Sequence, residues 1–230
     1  MSFRINLKAV FVLGIMMMFL IDASAQSYFP ERQNITLEYI RKDVADGRFR
    51  WRQVMRIKDM TDEGAFTRFT SESIFTGKNG KPLYRSAVNE TLLVEKSSGD
   101  VSVDVGAFMA SYIKAITGFN ATATRVELST LPADIQPGDT LPIVHAQAKV
   151  GPITYSVLID DRKVLRAETL EVPAGKFDCI VVSEHRVESG LGHNRNLTNV
   201  TWYSKGVGYV RHDTYIKGKL ETSEKLQVIR

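Results

Sequence analysis

The sequence predicts a mainly β protein: a curved antiparallel sheet, an incomplete or half barrel, with about one packed α-helix. Three observations carry this prediction. Apolar and polar residues alternate with period two along most of the chain. Only the segment 105–116 repeats its apolar residues at helical steps. No helix follows each strand, which excludes a parallel sheet and a dinucleotide-binding fold.

Ile35, Leu37 and Tyr39 set the first strand, and Asp46-Gly47 turns the chain. The next strand, 48–58, has the clearest two-faced pattern. Phe49, Trp51, Met55 and Ile57 share one face, while Arg48, Arg50, Arg52, Arg56 and Lys58 share the other. One face packs and one is wet, as in an antiparallel sheet. A turn at Thr61-Asp62-Glu63-Gly64 leads to a third strand ending near Phe75. Asn79-Gly80 reads as a type I′ hairpin into a fourth strand, Tyr84 to Val94.

Val105, Phe108, Met109, Tyr112, Ile113 and Ile116 then form one helical face, with Asp104 as N-cap and Gly118 as stop. A proline-rich loop follows, from Pro132 through Pro142. Strand patterns resume over 143–149, 153–160, 164–172, 176–187, 199–204, 207–216 and 220–229, with Asp160-Asp161 as one of the turns. Gly190 to Asn196 reads as a flexible polar loop.

The chain has 230 residues, 43% apolar and 24% charged, an ordinary globular composition that excludes disordered and low-complexity classes. Residues 1–25 read as a signal peptide. Arg4 and Lys8 precede the apolar run Ala9 to Ile21, and Ala23-Ser24-Ala25 is a small-x-small cleavage site. That run is shorter than the ~20 residues a membrane helix needs. The expectation is a periplasmic protein whose single domain spans 26–230. It is not a lipoprotein, since no cysteine follows the cleavage site. Without the leader the net charge falls from +4 to about +3, too mild to indicate nucleic acid.

The single cysteine excludes disulfide scaffolds and paired-cysteine zinc sites. Cys179 sits in the apolar run Phe177 to Val182, where cysteine acts as a small core residue. His145, His185, His193 and His212 lack metal spacing, and neither HExxH nor Gly-x-Ser-x-Gly occurs. No cofactor and no enzymatic activity are therefore expected. Five Asn-x-Thr sequons, at Asn34, Asn89, Asn120, Asn196 and Asn199, fit threonine-rich strands following turn asparagines. The arginine stripe suits oxyanions, or else a solvated face neutralised by cross-strand acids such as Glu38 or Glu72.

Three motifs in the C-terminal third appear in order: Asp161-Arg162-Lys163-Val164, Val172-Pro173-Ala174-Gly175-Lys176-Phe177-Asp178-Cys179, and Trp202-Tyr203-Ser204-Lys205-Gly206-Val207-Gly208-Tyr209. Over about 150–230 the chain thus resembles the TapB-like family of exported bacterial proteins, a domain of unknown function. The leader, with cleavage before Gln26, is similar to those of Bacteroidetes. The resemblance implies an incomplete barrel, distantly like the Lol-type periplasmic lipoprotein carriers, with the helix on its concave side. It implies no catalytic role.

The expected function is that of a non-enzymatic envelope protein holding an apolar small molecule, an acyl chain or a lipid. Phe108, Met109, Tyr112, Trp51, Arg50 and Arg52 are the candidate binding residues. A helix over an apolar strand face either encloses a cavity or fills a core. The alternative is an envelope interaction or assembly protein using the basic strand face or a sheet edge, with peripheral membrane contact.

Overall fold

The computed structural model describes residues 26–190 and 192–230. The leader therefore lies outside the described residues. One antiparallel sheet contains β1 (Thr36–Asp43), β2 (Phe49–Glu63), β3 (Phe66–Thr76), β4 (Val88–Glu95) and β5 (Val101–Asp104). Helix α1 (Val105–Thr117) follows, then β6 (Thr122–Arg125), β7 (Leu128–Leu131), β8 (Val144–Val150), β9 (Ile153–Val172) and β10 (Gly175–Gly190). The sheet is completed by β11 (His193–Ser204), β12 (Gly208–Ile216) and β13 (Lys219–Ile229). Its spatial order is β6-β8-β9-β10-β11-β12-β13-β1-β2-β3-β4-β5-β7, thirteen strands not closed by a ladder.

The sheet must curl strongly. β8 and β4 stand nine places apart in that order, about 43 Å if the sheet were flat. Yet α1, with 13 residues and about 20 Å long, packs against both. Val105, Met109 and Ile113 pack on Val144, Ala146, Ala148, Val157 and Ile159. The small alanines let the helix come close to β8.

The helix begins and ends as the sequence predicts. The Asp104 side chain accepts the Ala107 N–H at 2.9 Å, and Gly118, at φ +82°, donates its N–H to the Lys114 carbonyl. Gly106 answers a tighter demand. A Cβ there would lie 2.7 Å from the Arg125 carbonyl oxygen, so only glycine admits the backbone of β6.

Side chains bridge the gap between the two ends of the sheet. Arg162 of β9 donates to Ser129 Oγ of β7 at 3.1 Å and to the Pro142 carbonyl at 3.0 Å. Glu127, between β6 and β7, accepts the His145 N–H, which holds its carboxyl below the usual range with help from Arg125. At the other end of β9 and β10, the hairpin tip reaches β13, where Ala174 donates its N–H to the Leu226 carbonyl. Val172, Cys179, Val181 and Trp202 pack there with Leu37, Tyr39, Val210 and Leu226.

Several local expectations are corrected. Asp160-Asp161 is a bulge inside the 20-residue β9, with Asp161 at φ +46°, and not a turn between two strands. The bulge shifts the register and buries Arg162. Gly190 to Asn196 is mostly strand, since β10 ends at Gly190 and β11 begins at His193. Asn79-Gly80 lies in the longer connection between β3 and β4, where the Gly80 N–H bonds back to the Gly77 carbonyl. Only Gly80 of that pair has positive φ, so no type I′ turn forms. β2 also runs on through Thr61 and Asp62 before it turns.

Candidate functional site: a two-chambered interior

The inner face of the sheet bounds two adjoining chambers, and α1 lines the upper of them. The upper one measures about 440 Å³, within the ~300–1,000 Å³ of small-molecule sites. An aromatic wall runs along it from the sheet to the helix. Trp51 meets Phe75 edge-on at 6.2 Å, Phe75 meets Tyr84 at 5.0 Å, and Tyr84 meets Tyr112 at 5.6 Å. Phe108 stacks near Tyr112 at 6.3 Å, and the two tyrosine hydroxyls are 3.1 Å apart. Met109 lines the same chamber while being 2% exposed.

Charged groups face this wall. Glu224 of β13 accepts the Trp51 indole N–H at 2.8 Å and lies 3.7 Å from Arg41 of β1. Burial pushes the Glu224 carboxyl up, against the opposing pull of Arg41 and Trp51. The Arg41 guanidinium lies 4.9 Å from the centre of the Trp51 ring, and its Nε is buried without a hydrogen-bond partner. His212 is pushed well below its ordinary value by burial, then by Arg41 and Arg186, so its imidazole is neutral at pH 7. Arg186 pairs with Glu188 at 2.7 Å. The chamber therefore carries mixed, largely paired charge.

The lower chamber, about 200 Å³, is more apolar. Leu92, Val101, Val103 and Leu131 line its walls, and Tyr28, Phe29 and Pro30 line it from the N-terminal segment. That segment is fixed in place: Ser27 is fully buried, and its carbonyl accepts the Gly206 N–H at 2.8 Å. Met55, Glu90, Glu184, Thr201, Tyr203 and Tyr209 line both chambers and mark their junction. A further cavity adjoins the upper chamber beside the C-terminal half of α1, sharing Tyr112, Tyr155, Glu188 and Arg195 with it.

Four of the six candidate residues, Trp51, Phe108, Met109 and Tyr112, thus meet in one place. Arg50 and Arg52 do not join them, because neighbours on a strand point to opposite faces. Both pair with β1: Arg50 with Asp43, and Arg52 with Glu38. Arg48 binds Asp43 as well, at 2.8 Å, and Lys58 binds Glu72 at 3.2 Å. The hydrogen bond from Arg50, then that from Arg48, holds the Asp43 carboxyl below the carboxylate range. The stripe is the neutralised, outward face.

Sequence reasoning missed Arg41, Glu90, His212 and Glu224. Strand parity offered a signal for Arg41, which shares its face with Tyr39 and lies opposite Trp51 across the β1–β2 pair. Among the described residues no group of three or more His, Cys, Asp or Glu side chains is arranged to hold a metal ion. No described helix is long and apolar enough to cross a membrane, which leaves strands untouched.

An open antiparallel sheet curled about a helix-covered interior defines a class of β-rich domain, and the family follows from the sequence. Residues 38–226 match the DUF3108-like family, and the chain belongs to it. Two solved structures share the fold, each with a TM-score of 0.72. One is a candidate lipoprotein from Parabacteroides distasonis, 16% identical, matched over 90% of this chain and 99% of that one. The other is a candidate exported protein with a YmcC-like fold from Bacteroides fragilis, 18% identical, matched over 89% and 99%. At these identities the likeness is one of fold. No curated protein matches the chain.

Proposed function

We propose that this is a non-enzymatic protein of the cell envelope whose interior holds one amphiphilic molecule. An apolar chain occupies the lower chamber, and a polar head lies against the aromatic wall and paired charges of the upper one. The carrying observation is the junction of a mainly apolar chamber with a mixed one inside a single helix-covered sheet. The resemblance of the C-terminal motifs to TapB-like proteins, and distantly to Lol-type carriers, supports the same reading. The leader and the exported or lipoprotein descriptions of the two neighbours support an envelope location. Native mass spectrometry of the purified protein, with titration of a fluorescent acyl probe, tests it. Copurified lipid and saturable one-to-one binding are expected; neither appearing overturns it.

A second reading is contact with an envelope protein. One observation favours it: Val126, Leu128 and Ile143 are more than half exposed around the gap between β7 and β8. The basic face fits this role less well, since most of its charges are paired within the chain. A defined hetero-complex in place of bound lipid would favour this reading.

A further inference from the structure

Glu90 and Glu184 are two carboxyls that line both chambers, and they are differently placed. Glu184 lies 3.8 Å from Arg162 and receives a long bond from Asn199. No group among the described residues is hydrogen-bonded to the carboxyl of Glu90. Its cross-strand neighbour Ser71 is 1% exposed, and the Ser71 Oγ is likewise without a partner. Ser71 lines neither chamber and offers the carboxyl no partner; an unbonded carboxyl facing a cavity marks where another molecule's polar atom belongs.

We infer that Glu90 is the binding contact for the neutral linkage of an amphiphile, the ester or amide carbonyl that joins an acyl chain to its head. This rests on the reading above and assigns the part of the ligand that sits at the junction. The placement fits it: an apolar tail below and a polar head above bring the linkage to the junction that Glu90 lines.

The protonation state agrees with this role. Burial alone pushes the carboxyl up to about 7, so below neutrality it carries a proton to donate to a carbonyl oxygen. The charged and titratable groups that share the lower chamber or the junction with it are Tyr28 of the N-terminal segment, Tyr39 of β1, Arg162 of β9, Glu184 of β10, Tyr203 of β11 and Tyr209 of β12. Arg41, Tyr112 and Glu224 face the upper chamber. Tyr39, Tyr203 and Tyr209 are all pushed upward by burial, so none of the three titrates near neutrality. Above pH 7 an ionised Glu90 has no proton to give and repels the carbonyl oxygen. It also disfavours a free fatty-acid carboxylate at the same place.

The test is fluorescence titration of a labelled monoacylglycerol and the matching free fatty acid at pH 5.5 and 8.5. Wild type, Glu90→Gln and Glu90→Leu are compared. Wild type is expected to bind the ester about tenfold more tightly at pH 5.5, the order of one charged or buried hydrogen bond. Glu90→Gln keeps a donor at both pH values and should show no such difference. Glu90→Leu should bind the ester about tenfold more weakly than wild type at pH 5.5. If Glu90→Leu fails to fold, the pH profile of Glu90→Gln decides alone. Ester binding by Glu90→Gln that keeps the wild-type pH dependence overturns the role of Glu90 and leaves the proposed function standing. Absence of saturable binding by wild type at both pH values overturns both.

Discussion

Trp51 and Glu224, 173 residues apart in the chain, are joined inside the molecule by an indole N–H donated to a carboxylate oxygen at 2.8 Å. β1 lies between their strands, and its Arg41 touches both the carboxylate and the ring. Trp51→Phe keeps an aromatic ring but removes the N–H from a buried carboxylate. A loss of about 1–3 kcal/mol is expected in chemical denaturation. Trp51→Ala should cost somewhat more, yet stay below the ~3–5 kcal/mol of a fully packed tryptophan, because one side of the ring already faces a cavity. Indistinguishable stabilities of Trp51→Phe and wild type would sink the argument.

Stability should also report Glu90 in the absence of any ligand. Its folded value, about 7, stands above the ordinary 4.5. Between those values the folded chain binds more protons at this site than the unfolded chain, so stability falls as pH rises through the window. Glu90→Gln removes that slope. At pH 8 the variant is expected to exceed wild type, by at most about 3 kcal/mol, in urea denaturation. Parallel stability–pH curves for the two proteins would refute this.

The arginine stripe offers a contrasting case. Glu38 is held by Arg230 as well as Arg52, and Asp43 by Arg48 as well as Arg50. Replacing Arg50 and Arg52 together with alanine leaves each carboxylate one guanidinium. The double variant should lose no more than ~1 kcal/mol per pair and bind amphiphile probes as wild type does. A large drop in probe affinity would return these residues to the site.

Met109 probes the chamber from the helix side. It is nearly inaccessible and packs in the cluster with Ile113 and Val144, but it also lines the upper cavity. Met109→Trp should extend into that space, reduce probe binding and leave stability close to wild type. A loss of about 1–3 kcal/mol, the usual cost of overpacking, would show that the space is not available to a side chain.

Cys179 is 5% exposed, and burial pushes its thiol up to about 11. The thiolate is the reactive species, so the native protein should resist a thiol reagent and label fully after denaturation. Fast labelling of the folded chain would contradict its place between Val181 and Val172.

Most strands and helix α1 were legible because their signals are local. Alternation marks β2, and the cap pair Asp104 and Gly118 marks α1. The edge strands β6 and β7, and the short β5, were not legible. Four residues are too few to show a period, and β5 runs directly into the helix it helps to cap. The aromatic part of the site could be read from the helical face and from the parity of β2. Its charged part could not: Arg41, Glu224 and His212 are register partners on β1, β13 and β12, a pairing between distant parts of the chain, and Glu90 of β4 joins them only when the sheet curls. Arg50 and Arg52 were misplaced because charge drew them into a site from which their position on the strand excludes them.

An open sheet ordinarily ends in unpaired ladders, ready to recruit a strand from another molecule. Here both ends are strands of four residues, β6 and β7, separated only by Val126 and Glu127. One short stretch of chain therefore supplies the last strand at either end, and the Glu127 carboxylate between them occupies the His145 N–H of neighbouring β8. Brief, charge-guarded borders are how β proteins suppress edge-to-edge polymerisation. The same stretch that leaves the sheet unclosed also shortens the two ends at which another strand could be added.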